Sequence, residues 1–323
     1  MTRPREPRRR SRWGDGRPAG VDDLMQPFHV EAADVAGRLV RLGPLAHDVL
    51  SRNDYPAPVA ALLGETVALS IALAGALKYD GVFTLQVKGE GAVSLLVADV
   101  TSAGVVRGYA QFDGARVLRA TAAEGWERSP VPALLGRGQL AFTVDQGART
   151  ERYQGIVELT GATLASSAEH YFERSEQLRT ALVLCSGRAG VGEGGRWRAA
   201  ALVLQRLPIA EEGGTPREEL EEDWRRALAL LATSSAAELL DPVLAPDALL
   251  YRLFHQEGVR LYQPAALRFG CRCSRLRVER TLRALPRAEI ESLTRDELVV
   301  VTCQFCHASY NFDRRELDRI YAA

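Results

Sequence analysis

Apolar and polar positions alternate with a period of two along several short stretches of the chain and repeat with helical spacing along others. Runs at 35–42, 82–88, 93–100, 105–112, 139–145, 153–159, 180–186 and 197–205 are apolar in the manner of strands, most of them bounded by Gly, Asp or Ser. Gly89-Glu90-Gly91 and Thr101-Ser102-Ala103-Gly104 place turns between three of them, so 82–112 reads as an antiparallel meander. Helical spacing marks 44–53, 59–77 and 162–175, and Tyr55-Pro56-Ala57-Pro58 separates the first two, because a continuing helix does not tolerate those prolines. Strands in runs, with helices set apart, argue for an α+β fold with a large mixed core domain.

The stretch 59–77 is 19 residues long and carries one charge, Glu65. Its length would span a bilayer. Its Ala- and Gly-rich composition, the cost of Glu65 in lipid and the lack of a basic flank point instead to a core helix that is apolar all round. No membrane partner is expected. Gly89-Glu90-Gly91 joins two strands and opens no helix, so it is not a dinucleotide-binding fingerprint. Cys185 lies within an apolar strand and reads as an inert buried thiol.

The pattern changes at Pro208. Glu211 to Pro216 is a polar break, and Glu218, Glu219, Glu221, Glu222 and Asp223 form an acidic run. Trp224, Leu228 and Leu231 then share one helical face, Ser235 and Glu238 have capping-box spacing, and Leu250, Leu253 and Phe254 form a second apolar stripe before Gly258. Such short amphipathic helices are marginal alone and need a surface to pack on. Beyond them, Ser274 can cap a helix that Pro286 ends, 297–302 reads as a strand leading into Cys303, and Asp313 and Glu316 have capping-box spacing for a last helix. The expected organisation is a basic arm over 1–21, an α+β core over 22–208, a helical linker over 209–262 and a small cysteine-bearing domain over 263–323.

Composition changes this picture little. The chain has 323 residues, 46% hydrophobic and 25% charged, with a net charge of zero, so no overall field favours nucleic acid or an anionic membrane. Seven arginines crowd residues 1–20 with almost nothing apolar, which reads as a disordered arm. No apolar segment follows them as a secretion signal requires, and a cytoplasmic location is expected. HExxH, P-loop and GxSxG motifs are absent, and His47, His170 and His255 fall in helical patterns, so no enzyme is expected.

The cysteines change it a great deal. Four of the five stand as Cys271-Arg272-Cys273 and, after 29 intervening residues, Cys303-Gln304-Phe305-Cys306. Thiolates at such spacing converge on one ion, and four of them suit tetrahedral zinc; His307 is a substitute ligand at most. A structural site is the commoner fate of four cysteines. The alternative is a sensor in which oxidation removes all the ligands together and turns a chemical event into an unfolding event. Two further readings compete. Arg268, Arg272, Arg275, Arg277, Arg280 and Arg283 give some support to a zinc-ribbon nucleic-acid binder, and Cys303 with Cys306 could serve a thiol–disulfide oxidoreductase, although no βαβ context surrounds them.

The chain resembles the heat-shock protein 33 family of redox-regulated holdase chaperones, the 33 kDa chaperonins, from about Leu24 to its end. The resemblance is carried by Asp54-Tyr55-Pro56-Ala57-Pro58-Val59, Leu77-Lys78-Tyr79-Asp80-Gly81, Glu151-Arg152-Tyr153-Gln154-Gly155-Ile156-Val157 and Tyr171-Phe172-Glu173-Arg174-Ser175-Glu176-Gln177-Leu178, together with the two cysteine motifs. It implies a resting state with one zinc on Cys271, Cys273, Cys303 and Cys306. It further implies that oxidation forms the disulfides Cys271–Cys273 and Cys303–Cys306 and releases the zinc. The linker then loosens, a homodimer forms, and unfolding or oxidatively damaged client proteins are held without ATP. Trp224, Leu228, Leu231, Leu250, Leu253 and Phe254 are the client-binding residues expected on that reading, and no nucleic-acid partner is. The chain departs from the family in having His307 where Gly usually follows the last cysteine, and Arg179 where Pro usually follows the Ser-Glu-Gln-Leu run.

Overall fold

The computed structural model describes residues 20–146, 153–189, 195–206 and 217–322. The expected arm, apart from its last two residues, and the break at 211–216 lie outside them, as do Glu151 and Arg152. The chain divides into two compact units, Met1–Phe269 and Gly270–Ala323.

In the first unit, β1 (Leu24–Val30) and β2 (Val35–Leu42) form an antiparallel hairpin, followed by α1 (Pro44–Leu50) and α2 (Ala57–Ala74). Then come β3 (Val82–Gly89), β4 (Val93–Thr101) and β5 (Val105–Phe112), which pair in sequence as the expected antiparallel meander. They are followed by α3 (Gly114–Thr121), β6 (Gly138–Asp145), β7 (Tyr153–Glu158), α4 (Leu164–Tyr171), β8 (Thr180–Ala189) and β9 (Arg196–Arg206). The helices α5 (Arg217–Ala232), α6 (Ala236–Leu239) and α7 (Pro246–Phe254) precede three short strands, β10 (Val259–Leu261), β11 (Ala265–Ala266) and β12 (Arg268–Phe269). One six-stranded sheet has the order β10-β1-β2-β9-β8, with β11 also on β1, and the other the order β12-β5-β4-β3-β6-β7. Residues 263–269, grouped with the cysteine module on sequence, therefore add strands to both sheets of the first unit.

The helix α2 lies against strands of both sheets, and 78% of it is buried, which accounts for a membrane-like composition in a core helix. It starts earlier than its apolar run because Pro58 occupies the first turn, where a missing N–H does no harm. Close approach to β8 needs Gly64, since a Cβ there would come 2.1 Å from Ser186 Oγ. β1 went unread in the sequence because Pro27 sits in its middle. The strand survives because Pro27 can still accept, and its carbonyl takes the N–H of Tyr262 at 3.0 Å. The helix expected at 162–175 is α4 plus a π-helical turn at Phe172–Glu176.

The positions Trp197 to Gln205 of β9 are all buried, because its sheet is covered on both faces. Trp197, Ala199, Ala201 and Val203 belong to the core around α2. Ala200, Leu202 and Leu204 join Phe28 and Leu39 in a second core whose other half comes from α5–α7. That half contains Trp224, Leu231, Leu250, Leu253 and Phe254, with Leu228 partly buried beside them. The rings of Phe28 and Phe254 stack with centroids 5.7 Å apart.

Arg41 fastens the same cover. Its side chain is fully buried, and its guanidinium donates to the carbonyl oxygens of Leu244, at 2.5 Å, and Asp241, both in the α6–α7 connection. Asp22 lies 3.8 Å away and also pairs with Arg198. Burial pulls the Arg41 pKa down, so these partners are what keep the charge tolerable.

In the second unit, α8 (Arg275–Arg283) and α9 (Arg287–Ser292) precede β13 (Leu298–Thr302), β14 (Ser309–Asp313) and α10 (Arg314–Ala322). β13 and β14 form an antiparallel hairpin, and the buried apolar core is Leu282, Ile290, Val299, Phe312, Leu317 and Ile320. A core of that size is too small to hold such a unit comfortably by itself.

Two outcomes are expected. Replacing Arg41→Met strands two carbonyl acceptors, so it should destabilise the α6–α7 region by about 2–3 kcal/mol. Hydrogen exchange over 236–254 should accelerate, and unchanged protection there would count against the tether. Burial pushes the Glu65 carboxyl up from 4.5 to about 8, so the stability it contributes is complete below about pH 4.5 and is lost as pH rises toward 8. Glu65→Gln should therefore leave the urea midpoint near about pH 5 almost unchanged and raise it above about pH 8. Identical pH profiles for the two proteins would show that Glu65 is hydrated.

Candidate metal centre

The four paired cysteines all lie in the second unit, one pair in the extended segment before α8 and the other in the turn between β13 and β14. Cys271 and Cys273 immediately precede α8, whose first turn is capped by Ser274 accepting from the Arg277 N–H at 3.3 Å. Cys303 and Cys306 occupy the turn between β13 and β14, closed by the N–H of His307 to the carbonyl of Cys303 at 2.8 Å and the N–H of Cys303 to the carbonyl of Ala308 at 2.9 Å. His307 has φ 57°, a left-handed conformation that glycine adopts without penalty, which is why Gly suits this position. The His307 side chain is exposed and is not one of the converging donors.

The four Sγ atoms lie within 4.8 Å of one another. Cys271 and Cys303 approach to 3.7 Å, and Cys273 and Cys306 to 3.3 Å. A tetrahedral ion with metal–sulfur bonds of about 2.3 Å would separate its sulfurs by about 3.8 Å, so the cluster has the dimensions of a four-thiolate site. Four sulfurs without a carboxylate or imidazole are a donor set suited to zinc. Backbone N–H groups of Phe305 and Cys306 bond to the Cys303 sulfur and that of Ala308 to the Cys306 sulfur, and these donors favour the anionic form. Without a metal, burial prevails over them. It raises the pKa of Cys303, and burial with the neighbouring sulfurs pushes the Cys306 thiol up to about 12. A cation at the centre would reverse that balance.

Sequence reading did not single out Tyr310. Its hydroxyl donates to Cys273 Sγ at 3.2 Å. The signal available was weak: an aromatic residue on the strand after the turn, indistinguishable in the sequence from a core residue.

Three of the six arginines that favoured a nucleic-acid interface are engaged within the unit. Arg275 pairs with Glu316 at 2.6 Å and Glu279 at 3.4 Å, Arg277 donates to the Arg272 carbonyl at 2.7 Å, and Arg283 donates to the Ile320 carbonyl at 3.0 Å. Cys185, in the first unit, is buried, and burial pushes its thiol up to about 12, as expected of an unreactive group. The six residues expected to bind clients lie on α5 and α7, in the covered core described above rather than on a free surface.

Residues 23–313 match the family described as Hsp33 protein. The 33 kDa chaperonin of Caulobacter vibrioides is 39% identical over 294 residues, covering 91% of this chain and 95% of that protein. The 33 kDa chaperonin of Ectopseudomonas mendocina is 38% identical over 304 residues, covering 94% and 96%. The crystal structure of the 33 kDa chaperonin from Thermotoga maritima has the same fold, with a TM-score of 0.75 at 21% identity, over 93% of this chain and 98% of that one. With the family match reaching through both cysteine pairs, and with relatives matched over nearly their whole length, the chain belongs to the Hsp33 family.

Proposed function

We propose that the protein is a cytoplasmic, redox-regulated, ATP-independent holdase that carries one zinc on Cys271, Cys273, Cys303 and Cys306 when reduced. The observation that carries this reading is the convergence of four sulfurs within 4.8 Å in a member of the Hsp33 family. Bound zinc would hold the sulfurs as thiolates and tie the start of α8 to the β13–β14 turn, contributing roughly 10–16 kcal/mol to folding. With only six buried apolar residues in its core, the second unit depends on that contribution.

Starting from the four zinc-held thiolates, formation of two disulfides releases four electrons and the zinc ion, and two molecules of peroxide take up those electrons with four protons from solvent to give four waters. The disulfides proposed are Cys271–Cys273 and Cys303–Cys306, supported by the family kinship. The 3.3 and 3.7 Å contacts run between the two pairs, so proximity alone does not choose the partners. Loss of all four ligands together removes the staple. The domain limits proposed are an arm over 1–21, the core over 22–208, a linker over 209–262 and the switch over 263–323, with the strands at 265–269 anchoring the start of the switch to the sheets of the first unit. Release of α5–α7 then uncovers Trp224, Leu228, Leu231, Leu250, Leu253 and Phe254, together with the sheet face they cover, as the surface for unfolding or oxidatively damaged clients. The activated form is a homodimer.

The reduced protein is expected to contain one zinc and five free thiols, and the peroxide-treated protein no zinc and one thiol, Cys185. Light scattering from a thermally unfolding client should be suppressed by the oxidised form and not by the reduced form; equal suppression by both sinks the switch. Tyr310→Phe removes a hydrogen bond that draws electron density from Cys273, so peroxide-driven zinc release should accelerate roughly threefold to tenfold. An unchanged rate would reduce Tyr310 to a packing residue.

A further inference from the structure

Two of the segments that identify the chain, 153–157 and 171–178, have no part in the cysteine chemistry. They meet in the first unit around a cavity of about 210 Å³. Its walls include Phe83, Phe142, Tyr153, Tyr171, Phe172 and Glu176. Phe142 is central, with ring centroids 5.8 Å from Phe83, 5.8 Å from Tyr153 and 5.1 Å from Tyr171. The rings meet at angles from 15° to 83°, so the walls combine faces and edges. Gly155 makes this packing possible, because a Cβ there would lie 2.6 Å from the Phe142 ring and 2.9 Å from the Tyr171 hydroxyl.

The polar groups of the cavity are arranged around one carboxylate. Oε1 of Glu176 accepts from Tyr153 at 2.9 Å and from Tyr171 at 2.5 Å, while Oε2 has no partner among the described residues. Burial and the bond to Glu176 raise the Tyr171 pKa, and the bond to Glu176 raises that of Tyr153, so both hydroxyls remain donors. Gln205, the other polar wall, is already engaged, accepting from Arg38 and donating to Thr180, each at 3.2 Å. Among the described residues, no cationic side chain lines the cavity. The result is an aromatic cavity of side-chain size, half open at Tyr153, whose negative charge has no counter-ion among the described residues. Its chemistry complements a cation on an apolar stem, which would gain from the ring π-systems and from the free carboxylate oxygen together.

We propose that this cavity binds a side-chain-sized organic cation, an alkylguanidinium or alkylammonium group of the kind borne by arginine and lysine. The site belongs to the first unit and does not require oxidation of the cysteines, so the reduced, zinc-loaded full-length protein is the material for the test.

Capped arginine and capped citrulline, its neutral isostere, are titrated by calorimetry and by NMR of ring-labelled tyrosine. Arginine should bind at least about tenfold more tightly than citrulline and shift the Tyr153 and Tyr171 resonances. Glu176→Gln should abolish that preference at an unchanged melting temperature. Should that variant fold poorly, Phe172→Leu keeps the carboxylate and should weaken arginine binding severalfold. An extended peptide with one arginine identifies the source of the cation: tighter binding than capped arginine points to a client side chain, and equal binding to a free small molecule. Equal affinity for arginine and citrulline, or a preference that survives Glu176→Gln, overturns the proposal.

Discussion

Burial of β9 from both sides is the constraint on which the first unit depends. Its side chains alternate between two cores, and neither face of its sheet can be left to water without exposing a continuous apolar surface. One face is filled permanently by α2 and the second sheet. The other is covered by α5–α7, which are short and amphipathic and owe their stability to the surface they cover. Cover and sheet therefore depend on each other, and Arg41 adds a buried polar attachment that is satisfied only while the α6–α7 connection stays in place.

The second unit solves the stability problem differently. Its six-residue core is supplemented by ion pairs such as Arg275–Glu316 and Arg287–Asp318, which are partly exposed and individually worth little. The four sulfurs are the strong element, and their strength is conditional on their chemical state. A chain whose apolar surface is covered by marginal helices, and whose last unit depends on oxidisable ligands, can turn a redox event into exposure of a binding surface. That is the mechanism proposed above for this member of the Hsp33 family.

Much of this was legible beforehand because it depends on local periodicity. The alternation at 82–112 specified the meander, and the single charge in 59–77 distinguished a core helix from a membrane span. The spacing of Cys271, Cys273, Cys303 and Cys306 specified a convergent site, since two pairs of thiols so close in sequence readily meet on one ion. Less legible were the features that depend on partners distant in the chain. β1 contains Pro27 and reads poorly as a strand, yet it is held by β2 on one side and by residues about 230 positions later on the other. Arg41 looks like any other arginine in a chain that has 39 of them, and only burial beneath the α6–α7 connection makes it a tether.

Periodicity and spacing act over a few residues, and they sufficed for the α+β class, the core helix, the amphipathic character of the linker and the four-sulfur centre. The assembled fold alone shows which sheet face the linker helices cover, that Tyr310 reaches Cys273, and that Tyr153 and Tyr171 share one oxygen of Glu176. Those outcomes depend on packing between segments far apart in the chain, where each side chain's role is set by what the rest of the fold brings against it.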